Sequence, residues 1–83
     1  MKVRVLYFAS LREQLGLAGE DVDVPAGVST VAGLRSHLRS RGGKYEAIEK
    51  GPVRAAVNQD MVQPAATIKA GDEVAFFPPV TGG

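Results

Sequence analysis

The stretch GDEVAFFPPVTGG occupies positions 71–83. Its apolar run after a polar start predicts a β-strand over residues 73–77, with Val74 and Phe76 on one face. Two prolines follow, and proline cannot continue the hydrogen-bonded ladder of a sheet, so we expect the folded domain to span residues 1–77. Phe76 is the better core candidate of the two adjacent phenylalanines, because it shares a face with Val74.

An uncharged arm lies beyond this predicted strand, made of Pro78, Pro79, Val80, Thr81, Gly82 and Gly83. Fully extended, it reaches about 20 Å. The prolines stiffen its base, and the glycines leave its tip without Cβ atoms, so that the tip can enter a channel too narrow for side chains. The alternative is ordinary fraying of a terminus. An uncharged arm directly after an aromatic strand favours a functional role, because frayed tails tend to be polar.

Chemistry at the tip of the arm would use the α-carboxylate of Gly83. An ionised carboxylate is a poor electrophile, so a reaction there requires activation as an acyl-phosphate or an acyl-adenylate. The chain has no cysteine and one histidine, His37. A thiolate nucleophile, a His-paired triad and a multi-histidine metal site are therefore excluded. We expect no metal site and no independent enzyme.

Periodicity predicts three elements in the first part of the chain. Residues 2–8 alternate between two faces and predict a strand. SLRE at positions 10–13 matches a capping box, which predicts a short helix from Ser10 to Gly16. Residues 20–24 alternate aspartate with valine and predict a second strand with one face in water.

A longer helix is predicted to begin at Ser29 or Thr30, which are both favourable N-cap residues. Its apolar positions form one stripe: Val31, Leu34 and Leu38. Gly33 within this helix costs up to ~1 kcal/mol relative to alanine, which indicates close packing against it. Two glycines, at positions 42 and 43, are expected to end the helix, and one further helical turn is predicted within residues 45–50.

Two more strands are predicted between this helix and the last strand. Residues 53–57 alternate, residues 58–60 form a turn, and a short return strand begins at Met61. A second turn over residues 69–72 leads into the last strand. The element order therefore predicts an α+β domain in which one main helix covers a mixed sheet of about five strands.

Composition excludes several classes of function. At 83 residues the chain has room for one domain, and its net charge of +1 argues against a dedicated nucleic-acid-binding protein. Its longest stretch without charge, residues 24–34, is too short and too interrupted to span a membrane. The N-terminus lacks the apolar block of a signal peptide, so we expect a cytoplasmic protein.

Charged residues suggest no binding site of their own. The basic cluster, Arg35, His37, Arg39, Arg41 and Lys44, is interpreted mainly as a solvated helix end, with contact to an acidic partner as the alternative. RGGK at positions 41–44 lacks the spacing of a phosphate-binding loop. The acidic residues are interpreted as solvated carboxylates: Glu20, Asp21, Asp23 and Asp60.

Several motifs resemble one family, the sulfur-carrying small subunits of molybdopterin synthase. The stretch at 71–83 closely resembles the C-terminus of that family. AAVNQ at 55–59, TV at 30–31 followed by Leu34, and VLYFA at 5–9 followed by Arg12-Glu13 are similar to it as well. The terminal Gly-Gly is shared with ubiquitin-like proteins and with the sulfur carrier of thiamine synthesis, whereas FFPPVTGG is far more specific.

The resemblance implies a β-grasp (ubiquitin-like) fold and a role as sulfur carrier. In the family, a ubiquitin-activating-like adenylyltransferase uses ATP to adenylate the C-terminal glycine, here Gly83, and a sulfur donor protein converts it to a thiocarboxylate. The arm then enters the large subunit of the synthase, where sulfur passes to cyclic pyranopterin monophosphate to build molybdopterin. The resemblance places the catalytic residues on the large subunit and implies a heterotetramer. It implies no tightly bound cofactor on this chain.

Four apolar residues are candidates for a docking patch that binds such partners: Phe8, Met61, Val62 and Phe77. Met61 stands where the family has an apolar interface residue. The alternative for each is packing in the core.

Two other functions remain open at this point. One keeps the fold and arm but delivers sulfur to thiamine or another product, or attaches the chain to proteins as a modifier. The other is a β-grasp binding module whose arm carries no chemistry.

Overall fold

The computed structural model describes residues 1–78, which form a five-stranded sheet with helices on one side. In chain order the elements are β1 (Lys2–Tyr7), α1 (Ala9–Leu15), β2 (Gly19–Asp23), α2 (Val31–Arg39), a 3₁₀ helix (Gly43–Glu49), β3 (Arg54–Val57), β4 (Asp60–Val62) and β5 (Glu73–Phe77). The strand order is β2-β1-β5-β3-β4. The predicted α+β architecture is confirmed.

The sheet is mixed because its two central strands, β1 and β5, run parallel, while every other neighbouring pair is antiparallel. The register places Tyr7, Phe76, Ala55 and Val62 in one row across four strands. Phe76 is fully buried in this row, as predicted. We call the side of the sheet that carries this row the core face.

The main helix, α2, covers the core face with its predicted stripe, since Val31, Leu34 and Leu38 are all buried. The Thr30 hydroxyl accepts a hydrogen bond from the Gly33 backbone nitrogen at 3.1 Å, which confirms Thr30 as the N-cap. A Cβ on Gly33 would lie 3.0 Å from Val28 Cγ1, so the expected close packing is present. The helix ends at Arg39, before the two glycines that were expected to end it.

The capping box predicted for α1 is wrong. The helix begins at Ala9, its N-cap is Phe8, and no side chain caps it, so Ser10 lies inside the first turn. The reason is that β1 leads directly into the helix: the Phe8 nitrogen bonds to the Phe76 carbonyl oxygen, and the Phe8 carbonyl oxygen accepts from Leu11. Gly16, with φ of 74°, ends the helix as predicted.

A tight hairpin joins β3 to β4. Asn58 and Gln59 have φ of 50° and 73°, the positive values that a type I′ turn requires, and Asp60 already pairs with Val57. The Asn58 side chain accepts from the Glu73 nitrogen and donates to Asp72, which ties the hairpin to the start of β5. The turn predicted over residues 58–60 is therefore one residue shorter than expected.

Replacing Gln59 with glycine should stabilise the protein. A side chain in the left-handed region is strained, and Asn-Gly is the favoured pair for this turn, so we expect Gln59→Gly to raise the free energy of unfolding by about 0.5–1 kcal/mol. Urea unfolding followed by circular dichroism measures this. Gln63→Gly is the control, because Gln63 has no positive φ; an equal gain from both variants would contradict the explanation.

Candidate functional site: a docking face at the base of the arm

The parallel pairing of β1 with β5 places the ends of both strands at the same edge of the sheet. The Phe8 nitrogen lies 3.1 Å from the carbonyl oxygen of Phe76, so Phe8 is beside the last residues of β5. Pro78, the first residue of the predicted arm, is half-buried there. Residues 79–83, predicted to be Pro79, Val80, Thr81, Gly82 and Gly83 of the functional arm, lie outside the described residues.

The side of the sheet opposite the core face carries an apolar row that crosses all five strands. The register aligns Gly19, Leu6, Ala75, Ala56 and Met61. All the helices among residues 1–78 contribute their buried residues to the core on the other side, so none of them covers this row. We call this side the open face.

Small residues keep the open face flat. A Cβ on Gly19 would lie 2.8 Å from Leu6 Cδ2, so the Leu6 side chain extends over the glycine. Ala56 and Ala75 lie side by side in the middle and are only 7% and 8% exposed. A flat apolar surface of this kind suits another protein surface better than a small ligand, since small-molecule sites are concave.

Three of the four predicted docking residues lie on the open face. Met61 is 57% exposed and Phe8 is 45% exposed, so core packing, the alternative for each, is wrong for these two. Phe77 is half-buried and pairs with Arg54 one row further along. The structure does not bring Val62 to this surface: it lies on the core face, in register with Ala55, and packs against the core.

A hydrogen-bonded cluster around Glu20 supports the same end of the sheet from the core side. Glu20 Oε2 accepts from Tyr7 Oη at 2.9 Å and from Tyr45 Oη at 2.8 Å. Glu20 Oε1 accepts from Arg41 Nη1 at 2.9 Å, and the Arg41 guanidinium also lies 5.0 Å from the centre of the Tyr45 ring. The cluster joins β1 and β2 to the segment between α2 and the 3₁₀ helix. We call it the Glu20 cluster.

The expectation that Glu20 and Arg41 are merely solvated is therefore wrong. Arg39 also pairs with Glu49 at 3.2 Å, and Arg35 donates to the Ile48 carbonyl oxygen. Most of the basic cluster thus holds the 3₁₀ helix in place. No local pattern predicts these contacts, because Glu20 and Arg41 are 21 positions apart.

The ionisation of the Glu20 cluster follows from its contacts. Burial alone would raise the pKa of Glu20, but the hydrogen bonds from Arg41, Tyr45 and Tyr7 outweigh it, and the pKa lies below its usual value. Burial is the main reason that the pKa of Tyr7 lies far above its usual value, and the hydrogen bond to Glu20 raises it further. Around neutral pH the cluster therefore holds one carboxylate that accepts from two phenols and a guanidinium.

Nothing in the part of the chain that the structure describes points to other chemistry. Residues 1–78 contain no group of three His, Cys, Asp or Glu side chains that could hold a metal ion. The same residues include no helix with the length and hydropathy needed to cross a bilayer.

Comparison with known proteins decides the family. The family model described as ThiS matches residues 5–83, nearly the whole chain. The chain belongs to the ThiS family.

Two relatives of this ThiS-family chain are close over their full lengths. It is 44% identical to the molybdopterin synthase sulfur carrier subunit of Escherichia coli and 40% identical to that of Haemophilus influenzae. Each match covers 98% of this chain and 99% of the relative. Among solved structures, SAMP1 from Haloferax volcanii is similar at a TM-score of 0.79 and 29% identity, covering 100% of both chains. The resemblance of the motifs and the β-grasp fold are confirmed.

Replacing Glu20 with glutamine should destabilise this ThiS-family domain in a pH-dependent way. Because the fold lowers the pKa of Glu20, its stabilisation is present above the ordinary carboxyl pKa of about 4.3 and is lost as the pH falls through the lower folded value. At pH 7 we expect Glu20→Gln to cost about 1–3 kcal/mol of unfolding free energy, and the difference from the unaltered protein to shrink toward pH 3.

Urea unfolding at pH 7, 5, 4 and 3 tests this. Asp23→Asn is the matched control, because Asp23 is an exposed carboxylate on the same strand. If Glu20→Gln lowers the unfolding free energy by the same amount at every pH, the negative charge of Glu20 does not account for the stabilisation.

Proposed function

We propose that this chain is the sulfur carrier subunit of molybdopterin synthase, with Gly83 as the carrier of sulfur. The observation that carries the proposal is an exposed, flat apolar face beside the start of an uncharged arm, in a chain 40–44% identical to such subunits over its full length. The face provides recognition, and the arm of Pro78, Pro79, Val80, Thr81, Gly82 and Gly83 provides chemistry.

The chemistry takes place at one carboxylate. A ubiquitin-activating-like adenylyltransferase attaches AMP from ATP to the Gly83 carboxylate and releases pyrophosphate. Sulfide-level sulfur delivered by a donor protein then attacks the acyl carbon, AMP leaves, and a thiocarboxylate remains. On the large subunit the thiocarboxylate sulfur forms a carbon–sulfur bond with cyclic pyranopterin monophosphate, and in a second round another carrier supplies the second sulfur of the dithiolene. In each round water cleaves the bond between the Gly83 acyl carbon and the transferred sulfur, so the sulfur stays on the pterin and the carrier ends as a carboxylate.

The chain contributes binding and delivery, and the catalytic residues lie on the large subunit. What supports the binding part of this division is the open face, on which Met61 and Phe8 are exposed. No cofactor stays bound to the carrier, since ATP is consumed by the activating enzyme. The relatives are named as subunits, which supports assembly with a larger partner.

Incubation with the activating enzyme, ATP and a sulfide source should change the intact mass of the chain. We expect a gain equal to one oxygen replaced by sulfur, because adenylation supplies the leaving group that a carboxylate lacks. Deletion of Gly83 is the control and should abolish the gain. No gain under conditions that sulfurate a known carrier would refute the proposal and leave the arm as a binding element.

Introducing a charge on the open face should weaken assembly without unfolding the protein. Met61 is exposed, so Met61→Glu should leave stability within about 0.5 kcal/mol. It should weaken binding to the large subunit at least tenfold, because a central apolar anchor is worth about 1–2 kcal/mol or more. Gln14→Glu is the matched control, placing the same charge on the exposed side of α1. Equal affinities measured by calorimetry for both variants would exclude the open face as the docking surface.

A second candidate function is attachment to other proteins as a modifier, because SAMP1, a small archaeal modifier protein, has a closely similar fold. Delivery of sulfur to thiamine synthesis is a related candidate. Conversion of cyclic pyranopterin monophosphate to molybdopterin by this chain with a large subunit separates the proposal from both.

A further inference from the structure

A cavity of about 290 Å³ lies next to the open face, between α2 and the β3–β4 hairpin. Val31 and Arg35 of α2 form one wall, and Val53, Val62 and Pro64 contribute to the others. The open face is flat, so this cavity is the concave feature that adjoins it. Its lining contains both aliphatic side chains and two arginines. Packing of the hydrophobic core alone would not require the arginines.

All of the charge in the lining is positive. Arg35 and Arg54 are the ionisable residues among those that line the cavity, and no carboxylate faces them. The ion pairs within residues 1–78 engage Arg4, Arg39 and Arg41, and neither Arg35 nor Arg54 takes part in one. A carboxylate that entered would thus meet two cations and no competing anion.

The Arg35 guanidinium lacks an anionic partner within residues 1–78 and would be stabilised by one. Its Nη2 donates to the Ile48 carbonyl oxygen at 3.0 Å, which fixes the guanidinium in position. Its Nε is buried from water and has no hydrogen-bond partner among the described residues. A guanidinium that has lost part of its hydration and faces only a neutral carbonyl is incompletely compensated, and a carboxylate is the group that matches it.

The cavity adjoins the open face through two shared residues. Met61 and Arg54 both line the cavity, and both lie on the open face, Met61 beside Ala56 and Arg54 opposite Phe77. A protein that covers Met61 therefore contacts a residue that lines the cavity. The volume lies just below the range of about 300–1,000 Å³ typical of drug-sized ligands, so it suits one side chain better than a metabolite.

We propose that this cavity receives an acidic side chain, aspartate or glutamate, from the partner protein that docks on the open face. The partner's carboxylate pairs with Arg35, and its aliphatic stem packs against Val31 and Val62. Arg54 contributes attraction at the rim. The inference rests on the proposed docking function and adds to it a charged anchor beside the apolar one at Met61.

Binding to the large subunit of molybdopterin synthase from the same source tests the anchor. Arg35→Lys keeps the charge but loses the planar fork, and Arg54→Gln removes a charge from an exposed residue that makes no side-chain hydrogen bond among the described contacts. We expect calorimetry to show about tenfold weaker binding for each variant and a shallower dependence on salt for Arg54→Gln. Lys44→Gln is the control, because it removes one positive charge outside the cavity. Affinities of both cavity variants within twofold of the unaltered protein would overturn the proposal.

A second measurement is independent of the partner and of the fold of any variant. The Nε–H of Arg35 is shielded from water, so it should exchange slowly enough to appear in a nitrogen-15 NMR spectrum of the unaltered chain. Sodium acetate is the probe for a carboxylate side chain, and sodium chloride at equal ionic strength is the control. A saturable shift of this resonance with acetate alone supports the site, whereas equal shifts with both salts, or none, count against it.

The two measurements separate the inference from the function on which it rests. If the large subunit binds neither the unaltered chain nor Lys44→Gln, the proposed function fails, and the acetate titration alone decides whether the cavity takes a carboxylate. If the large subunit binds all variants equally, the function stands and the anchor does not.

Discussion

The parallel pairing of β1 with β5 is the constraint on which the rest of the structure depends. It places the first and last strands of the domain side by side in the middle of the sheet, with Tyr7 opposite Phe76. A parallel pair cannot be joined by a tight turn, so the intervening chain must cross over, and here it supplies both α-helices and the 3₁₀ helix on one side. One pairing thus produces a covered core face, an open face, and an arm that begins beside Phe8.

The two faces have different compositions because the helices cover only one of them. On the core face, branched and aromatic side chains such as Val5 and Phe76 fill the space under α2, and both are fully buried. On the open face, Gly19, Ala56 and Ala75 keep the surface low between Leu6 and Met61. Large side chains at these small positions would pack no core, since no helix among residues 1–78 lies above them. Their small size fits the docking role proposed for the open face.

Local patterns predicted most of the fold. Alternation identified every strand to within about two residues, and the stripe of Val31, Leu34 and Leu38 identified the main helix, because both signals depend on neighbours in the chain. The prediction for the start of α1 failed because the Phe8–Phe76 backbone contact, 68 positions apart, determines how β1 enters the helix.

The candidate site was predicted less completely for the same reason. Phe8 and Met61 were docking candidates with core packing as the alternative, and the structure shows both exposed. The pairing of Val62 with Ala55, which places Val62 on the core face, is not visible in the local sequence. Glu20 carried no local signal at all, since its partners lie 13, 21 and 25 positions away. Sequence patterns depend on neighbouring residues, so they do not predict contacts between charged residues that are far apart in the chain.

The proposed function divides the work of one small chain between the open face, which would bind partners, and the C-terminal residues, which would carry the sulfur. The face is fixed by the sheet and by the Glu20 cluster behind it, so a partner that docks there orders few side chains and loses little entropy. In the proposed chemistry a single atom of the Gly83 carboxylate changes, from oxygen to sulfur, and no residue of the open face takes part. The proposal therefore assigns recognition to the open face, which sulfur transfer does not change, and turnover to the state of Gly83.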